Sequence, residues 1–194
     1  MKKVLYCLFL ANIMAGCATS PPCRFYLLSS TAAPSMASHA DYSVSVGPIS
    51  VPDFLDRRQI VVRTGSNRVS INEFERWASP LKADIGRVVV ENLISLLGTK
   101  QISLYNQPAG AGATYRVMID IIHFDSRLGE EAALDSLWTL STANGKQSYR
   151  GRTTVAEKPD GRGYASLVLA HSRAVGRMST DIANKILEME ARSP

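Results

Sequence analysis

The order of segments along this chain predicts an α+β fold: a mixed, largely antiparallel β-sheet packed by two long helices. Three observations carry that expectation. Runs at 42–51, 59–63, 115–124, 133–142 and 146–156 read as strands, with 42–51 alternating small polar and β-branched residues and 115–124 rich in β-branched ones. Asn144-Gly145, between the last two, is a strong hairpin signal. Two longer stretches, 81–97 and 164–189, place apolar residues at helical spacing.

Taken in order, residues 18–22 form a short polar tether with two prolines, and 25–28 a first short strand. Residues 29–41, rich in Ser and Ala, suit a surface loop. The strand at 42–51 is interrupted by Gly47-Pro48, which places Pro48 at an edge or a bulge. Residues 64–67 (TGSN) turn the strand at 59–63 into a hairpin partner at 68–71. Ser79 can cap the first helix, with Pro80 at its first position, where the missing N–H costs nothing. Leu81, Ile85, Val88, Val89, Asn92, Leu93, Leu96 and Leu97 make its core stripe, and Gly98 ends it. A brief strand at 102–105 and a loop at 108–113 precede the three strands of the carboxy-terminal half. After the turn at Pro159-Asp160-Gly161, residues Tyr164, Leu167, Val168, His171, Val175, Met178, Ile182, Ile186 and Met189 mark the last helix.

The amino terminus carries a different signal. Lys2 and Lys3 precede an apolar run at 4–14, then Ala15-Gly16 and Cys17, the charged, apolar and small-residue order of a secretory signal. A helix over that run would be roughly 16 Å long, against a hydrocarbon core of roughly 30 Å, so it is too short to span. Met14-Ala15-Gly16-Cys17 resembles a bacterial lipobox, with Met where Leu is commoner. The resemblance implies acylation of Cys17 as the first mature residue. The expected division is a signal peptide at 1–16, a lipidated tether at 17–23 and one domain at 24–194.

Cleavage of the first 16 of 194 residues leaves 178, enough for one domain with a full core. Loss of Lys2 and Lys3 leaves 20 basic against 17 acidic residues, a net charge of about +3. That balance is too mild to suggest nucleic acid, and its signs are interspersed. Cys7 leaves with the signal and Cys17 is acylated, so Cys23 remains without an internal partner. Beside the apolar residues 25–28, it is expected to be a partly shielded structural cysteine.

Chemistry-bearing motifs are sparse. Gly110-Ala111-Gly112 lacks the ending of a phosphate loop and reads as a flexible loop. His39, His123 and His171 stand singly, without metal-ligand spacing. No Gly-x-Ser-x-Gly elbow occurs. Asp53, Asp56, Glu73 and Glu75 are interleaved with Arg57, Arg58 and Arg76, which reads as ion-paired surface rather than an acid/base pair. No catalytic, cofactor or metal residues are assigned.

Residues 46–63 (VGPISVPDFLDRRQIVVR), Arg76-Trp77-Ala78-Ser79-Pro80-Leu81 and Phe25-Tyr26-Leu27-Leu28 after the lipobox resemble the ABC-type transport auxiliary lipoproteins, the PqiC-like group. The resemblance is strong over 25–97 and rests on general pattern beyond. It implies a layered α/β body like the amino-terminal domain of TolB and an accessory, non-enzymatic role in lipid movement between the two membranes. The implied partners are an MCE-domain protein with its ABC transporter or permease, and further copies of the chain in a ring. Ala18, where Asp would resemble an inner-membrane retention signal, implies the outer membrane, facing the periplasm. Arg57 and Arg58 are the candidate partner contacts, against the reading in which both pair with Asp53, Asp56 or nearby glutamates. An envelope scaffolding lipoprotein and a periplasmic hydrolase are the competing functions.

The acyl chains on Cys17 should hold the protein on the membrane, since each buried methylene contributes about 0.8 kcal/mol and several chains act together. Cys17→Ser is therefore expected to release the protein from membranes or leave an uncleaved precursor. Unchanged fractionation with unchanged mature mass would count against acylation.

Overall fold

Alternation of buried and exposed side chains builds eight strands, and the two 3.6-residue stripes build the helices that cover them. The computed structural model describes residues 20–34 and 41–192. The signal peptide, Cys17, Ala18 and His39 lie outside the described residues. The strands are β1 (Arg24–Tyr26), β2 (Val44–Ser50), β3 (Gln59–Arg63), β4 (Val69–Trp77), β5 (Ile102–Leu104), β6 (Tyr115–Arg127), β7 (Glu131–Thr142) and β8 (Ser148–Glu157). The helices are α1 (Leu81–Leu97) and α2 (Tyr164–Ala191).

The fold is α+β, but its strands divide into two sheets rather than one. A small sheet has the order β1-β4-β3 and a large one the order β5-β2-β6-β7-β8. The long ladders β6–β7 and β7–β8 are antiparallel, while β1–β4, β2–β5 and β2–β6 are parallel. The division was not visible beforehand, because alternation tells a strand which face to bury and not which neighbour to pair with. The sheets meet through side chains: β3 reaches β6 through Arg63 and Asp125, 2.8 Å apart, and Trp77 meets Phe124 edge-on.

Both helices pack on one face of the large sheet, α1 on β2 and β5 and α2 on β7 and β8, and they pack on each other. Ile85, Val88, Val89 and Leu93 of α1 and Val175, Met178, Ile182 and Ile186 of α2 are buried between helix and sheet. Gly98 closes α1 in the left-handed region at φ 65°, its N–H donating to the Ile94 carbonyl. The helix start differs from expectation. Pro80 itself is the capping position and Ser79 makes no side-chain cap. With φ −53° and ψ 130°, Pro80 sits just outside the helix, and its carbonyl receives the N–H groups of Ala83 and Asp84.

The amino-terminal segment is bolted to both helices. The Leu28 N–H donates to Asp84 Oδ2 at 2.7 Å, and Arg87 Nη2 donates to the Leu28 carbonyl at 2.6 Å. Asn92 Oδ1, fully buried, accepts from Ser30 Oγ and from the N–H groups of Thr31 and Ala32. Its Nδ2 donates across to Ser179 Oγ on α2 at 3.2 Å. Thr31 lies so close to α2 that any Cβ at Gly176 would collide with its Oγ1, so this crossing needs glycine. Cys23 departs from expectation: it is exposed and free. Alternation explains this, since Tyr26 and Leu28 turn inward while Cys23, Phe25 and Leu27 turn outward.

Leu93 is completely buried, on the stripe that faces the sheet. Leu93→Ala should cost about 2 to 5 kcal/mol in a thermal or denaturant melt, without changing self-association. A loss below about 1 kcal/mol together with lost self-association would mean that the stripe serves an interface.

Candidate functional site

The turn at 52–58 joins β2 to β3 and carries the two candidate contact arginines. A 3-10 turn at Asp53–Leu55 starts it, with the Leu55 N–H on the Pro52 carbonyl at 2.9 Å and the Asp56 N–H on the Asp53 carbonyl at 3.1 Å. Leu55 points into the core at 5% exposure and pins the turn from below. At its far end the Arg58 carbonyl accepts from the Trp77 N–H at 2.7 Å. The backbone is therefore held at both ends, while Phe54, Arg57 and Arg58 face solvent.

The ion pairing expected here takes a different form. Asp56 pairs with Lys82 Nζ at 2.8 Å, and this carboxylate raises the Lys82 ammonium above its ordinary range. Glu73 pairs with Arg76 and Glu75 with Arg24. Among the described residues, neither Arg57 nor Arg58 has a carboxylate partner, which corrects the expectation of an ion-paired pair. The reason is geometric: Asp56 is drawn toward the first turn of α1, and the two glutamates are taken by other arginines. Two unneutralised guanidiniums remain on a rigid turn.

A second open surface was not singled out in the sequence. It is the face of the large sheet away from the helices. Met118 and Leu137 are each 46% exposed there. With Pro48, Thr139 and Arg150 they line a groove of about 430 Å³. Its lining mixes these apolar side chains with the charged Arg150 and Asp120. Asp120 also accepts from Ser50 Oγ. Strict alternation in β6 and β7 would have flagged Met118 and Leu137, since both stand on the polar side of their strands.

The arrangement nearest to a nucleophile and base lies in the core. Ser126 Oγ and His171 Nε2 are 2.7 Å apart. His171 is fully buried and Ser126 is 3% exposed, while the His171 ring stacks on Phe124 at 3.9 Å. His171 Nδ1 has no hydrogen-bond partner, so the orienting acid of a triad is missing. His123, by contrast, is exposed on β6. Gly110 ends the 3-10 turn Pro108–Gly110, and the third-glycine-and-helix context of a nucleotide site does not form. Among the described residues no group of three or more His, Cys, Asp or Glu could hold a metal ion. No helix among them is long and apolar enough to cross a membrane.

Burial pushes His171 down to about 3 from its ordinary 6.5. The folded state thus keeps the ring neutral while the unfolded chain binds a proton below pH 6.5. Stability is complete above that pH and should fall by up to about 1.4 kcal/mol per pH unit as the pH drops from 6.5 toward 3. His171→Gln, which cannot titrate, is expected to flatten this acid limb in melts run across that range. An unchanged slope would assign the acid sensitivity to other groups.

Comparison with known proteins adds family and fold. A family model described as "ABC-type transport auxiliary lipoprotein component" matches residues 26–183. No curated protein matches the chain in sequence. The crystal structure of an uncharacterized protein superposes with a TM-score of 0.70 at 22% identity, covering 86% of this chain and 99% of that one. A Xanthomonas campestris protein of family DUF330 gives a TM-score of 0.72 at 16% identity, covering 88% of this chain and 99% of that one. At such identities the likeness is one of fold.

Proposed function

The chain belongs to the ABC-type transport auxiliary lipoprotein component family, and from that premise we propose that it is the lipid-anchored accessory subunit of an MCE-type lipid transport system. In this reading Cys17 carries the acyl chains and the anchor sits in the outer membrane, with the body in the periplasm. The body docks on an MCE-domain protein that works with the ABC transporter or permease. Assembly of several copies into a ring, which the family resemblance implies, belongs to the same reading. The protein acts by binding, without turnover.

The observation that carries the binding role is the turn at 52–58. Loops held by a rigid scaffold are where contact residues concentrate. Arginine is enriched at interface hot spots, where loss of one commonly costs 2 kcal/mol or more. Arg57 and Arg58 meet both conditions, because Leu55 and the Trp77 backbone hold the turn while no carboxylate neutralises the side chains.

The double variant Arg57→Ala, Arg58→Ala separates docking from surface decoration. It should melt within about 0.5 kcal/mol of wild type, because no internal ion pair is lost. It should also capture MCE-type partners roughly 30-fold less well, the equivalent of about 2 kcal/mol, and fail to restore the envelope barrier in a deletion strain. Wild-type capture and full restoration by the folded variant would remove this turn as the docking site.

A further inference from the structure

The most exposed large apolar side chain among the described residues is Phe25, at 59%, and Leu27 beside it is 49% exposed. They are not scattered singly. Both stand on the outward side of the segment whose inward residues, Tyr26 and Leu28, join the core. Phe25 lies opposite Arg76 on β4, and Arg76 lies opposite Gln59 on β3, so the three share one face of the small sheet. Among the described residues no element covers Phe25 or Leu27. Arg24, whose side chain is 70% exposed, and the free Cys23 flank them.

The position of this patch limits what can cover it. Cys17 precedes Phe25 by eight residues, which reach at most roughly 29 Å when fully extended. Slack on the other side is absent, because Asp84 and Arg87 grip the Leu28 backbone and Asn92 grips the next turn of chain. A lipid anchor on Cys17 therefore holds one particular side of the body near the bilayer, and that side presents the two apolar side chains Phe25 and Leu27. Apolar side chains that enter the headgroup boundary are the pattern of an interfacial contact.

We propose that the outward face of β1, with Phe25 and Leu27, rests directly on the phospholipid surface that receives the acyl chains of Cys17. This rests on the acylated-Cys17 reading and adds to it an orientation. The small sheet lies against the membrane, and the body is not a freely tumbling load on a tether. Gln59 sits about 10 Å from Phe25, two strand spacings across β4, so the start of β3 comes close to the bilayer as well.

Quenching by spin-labelled lipid tests the orientation. The full acylated protein is reconstituted in vesicles of three parts phosphatidylethanolamine to one part phosphatidylglycerol, with doxyl-labelled phospholipid as quencher. A fluorophore is placed at Gln59→Cys or at Leu137→Cys, each in a Cys23→Ser background, with folding checked by melting temperature. A tether alone already favours Gln59 over Leu137 to some degree, because Gln59 lies close to Phe25 in space, so the decisive comparison is with protein that keeps its acyl chains but lacks the apolar pair. The proposal expects at least twofold stronger quenching at position 59 than at 137. It also expects that advantage to shrink in Phe25→Ser, Leu27→Ser protein that still carries its acyl chains and stays on the vesicles. Equal quenching at the two positions, or an advantage that the double substitution leaves unchanged, in protein whose intact mass shows the acyl chains would overturn the orientation and leave the anchor standing. A mass without acyl chains would overturn the anchor, and the orientation with it.

Discussion

The fold depends on one buried polar side chain. Asn92, at the interface of α1 with α2, accepts three hydrogen bonds from the amino-terminal segment and donates one to Ser179. Leaving such partners unsatisfied in a core costs roughly 1 to 3 kcal/mol for each group, so this contact selects one register of the helices against each other and against the segment. Asp84 and Arg87, about two turns and one turn earlier on α1, continue the same seam by holding the backbone of Leu28. The stretch from Leu28 to Ala32 is thereby tied into the core.

From this seam the rest of the layering follows. The helices cover one face of the large sheet, and their apolar stripes interlock with the alternating inward residues of β6 and β7. The small sheet is held to this block by a run of aromatic contacts, Trp77 against Phe124 and Phe124 stacked on His171. Burial in that run keeps His171 neutral and closes the Ser126–His171 pair to any substrate. His171, which the sequence placed on the apolar stripe of the last helix, thus serves as packing.

The surfaces left over divide by character. Arg63, Arg87, Arg152 and Arg173 are engaged by carboxylates, while Arg57 and Arg58 stand free on a braced turn. The groove over Met118 and Leu137 is open, and its lining combines apolar side chains with Asp120 and Arg150. Exposed apolar side chains gathered on one face are surfaces that a binding protein can use. Arg57-Arg58 and the Phe25 patch stand at the two edges of the small sheet, whose middle strand β4 joins them. The large sheet and its helices form the platform behind.

Local pattern carried much of this. The helices, read at 81–97 and 164–189, the Gly98 terminus, the Asn144-Gly145 hairpin and the hairpin of 59–63 with 68–71, whose second strand runs on to Trp77, were legible because each depends on spacing or turn chemistry within a few residues. What depended on distant partners was not legible: the division into two sheets, the exposure of Cys23, the absence of a side-chain cap at Ser79 and the freedom of Arg57 and Arg58. Asp56 could have paired with either arginine by sequence proximity, yet Lys82, 26 residues away, holds it. Asn92 counted in the sequence as one more position of an apolar stripe, and only the tertiary structure made it the bolt. A stripe reveals that a side chain is buried, but hydrogen-bond partners are supplied by chain segments that meet only after folding.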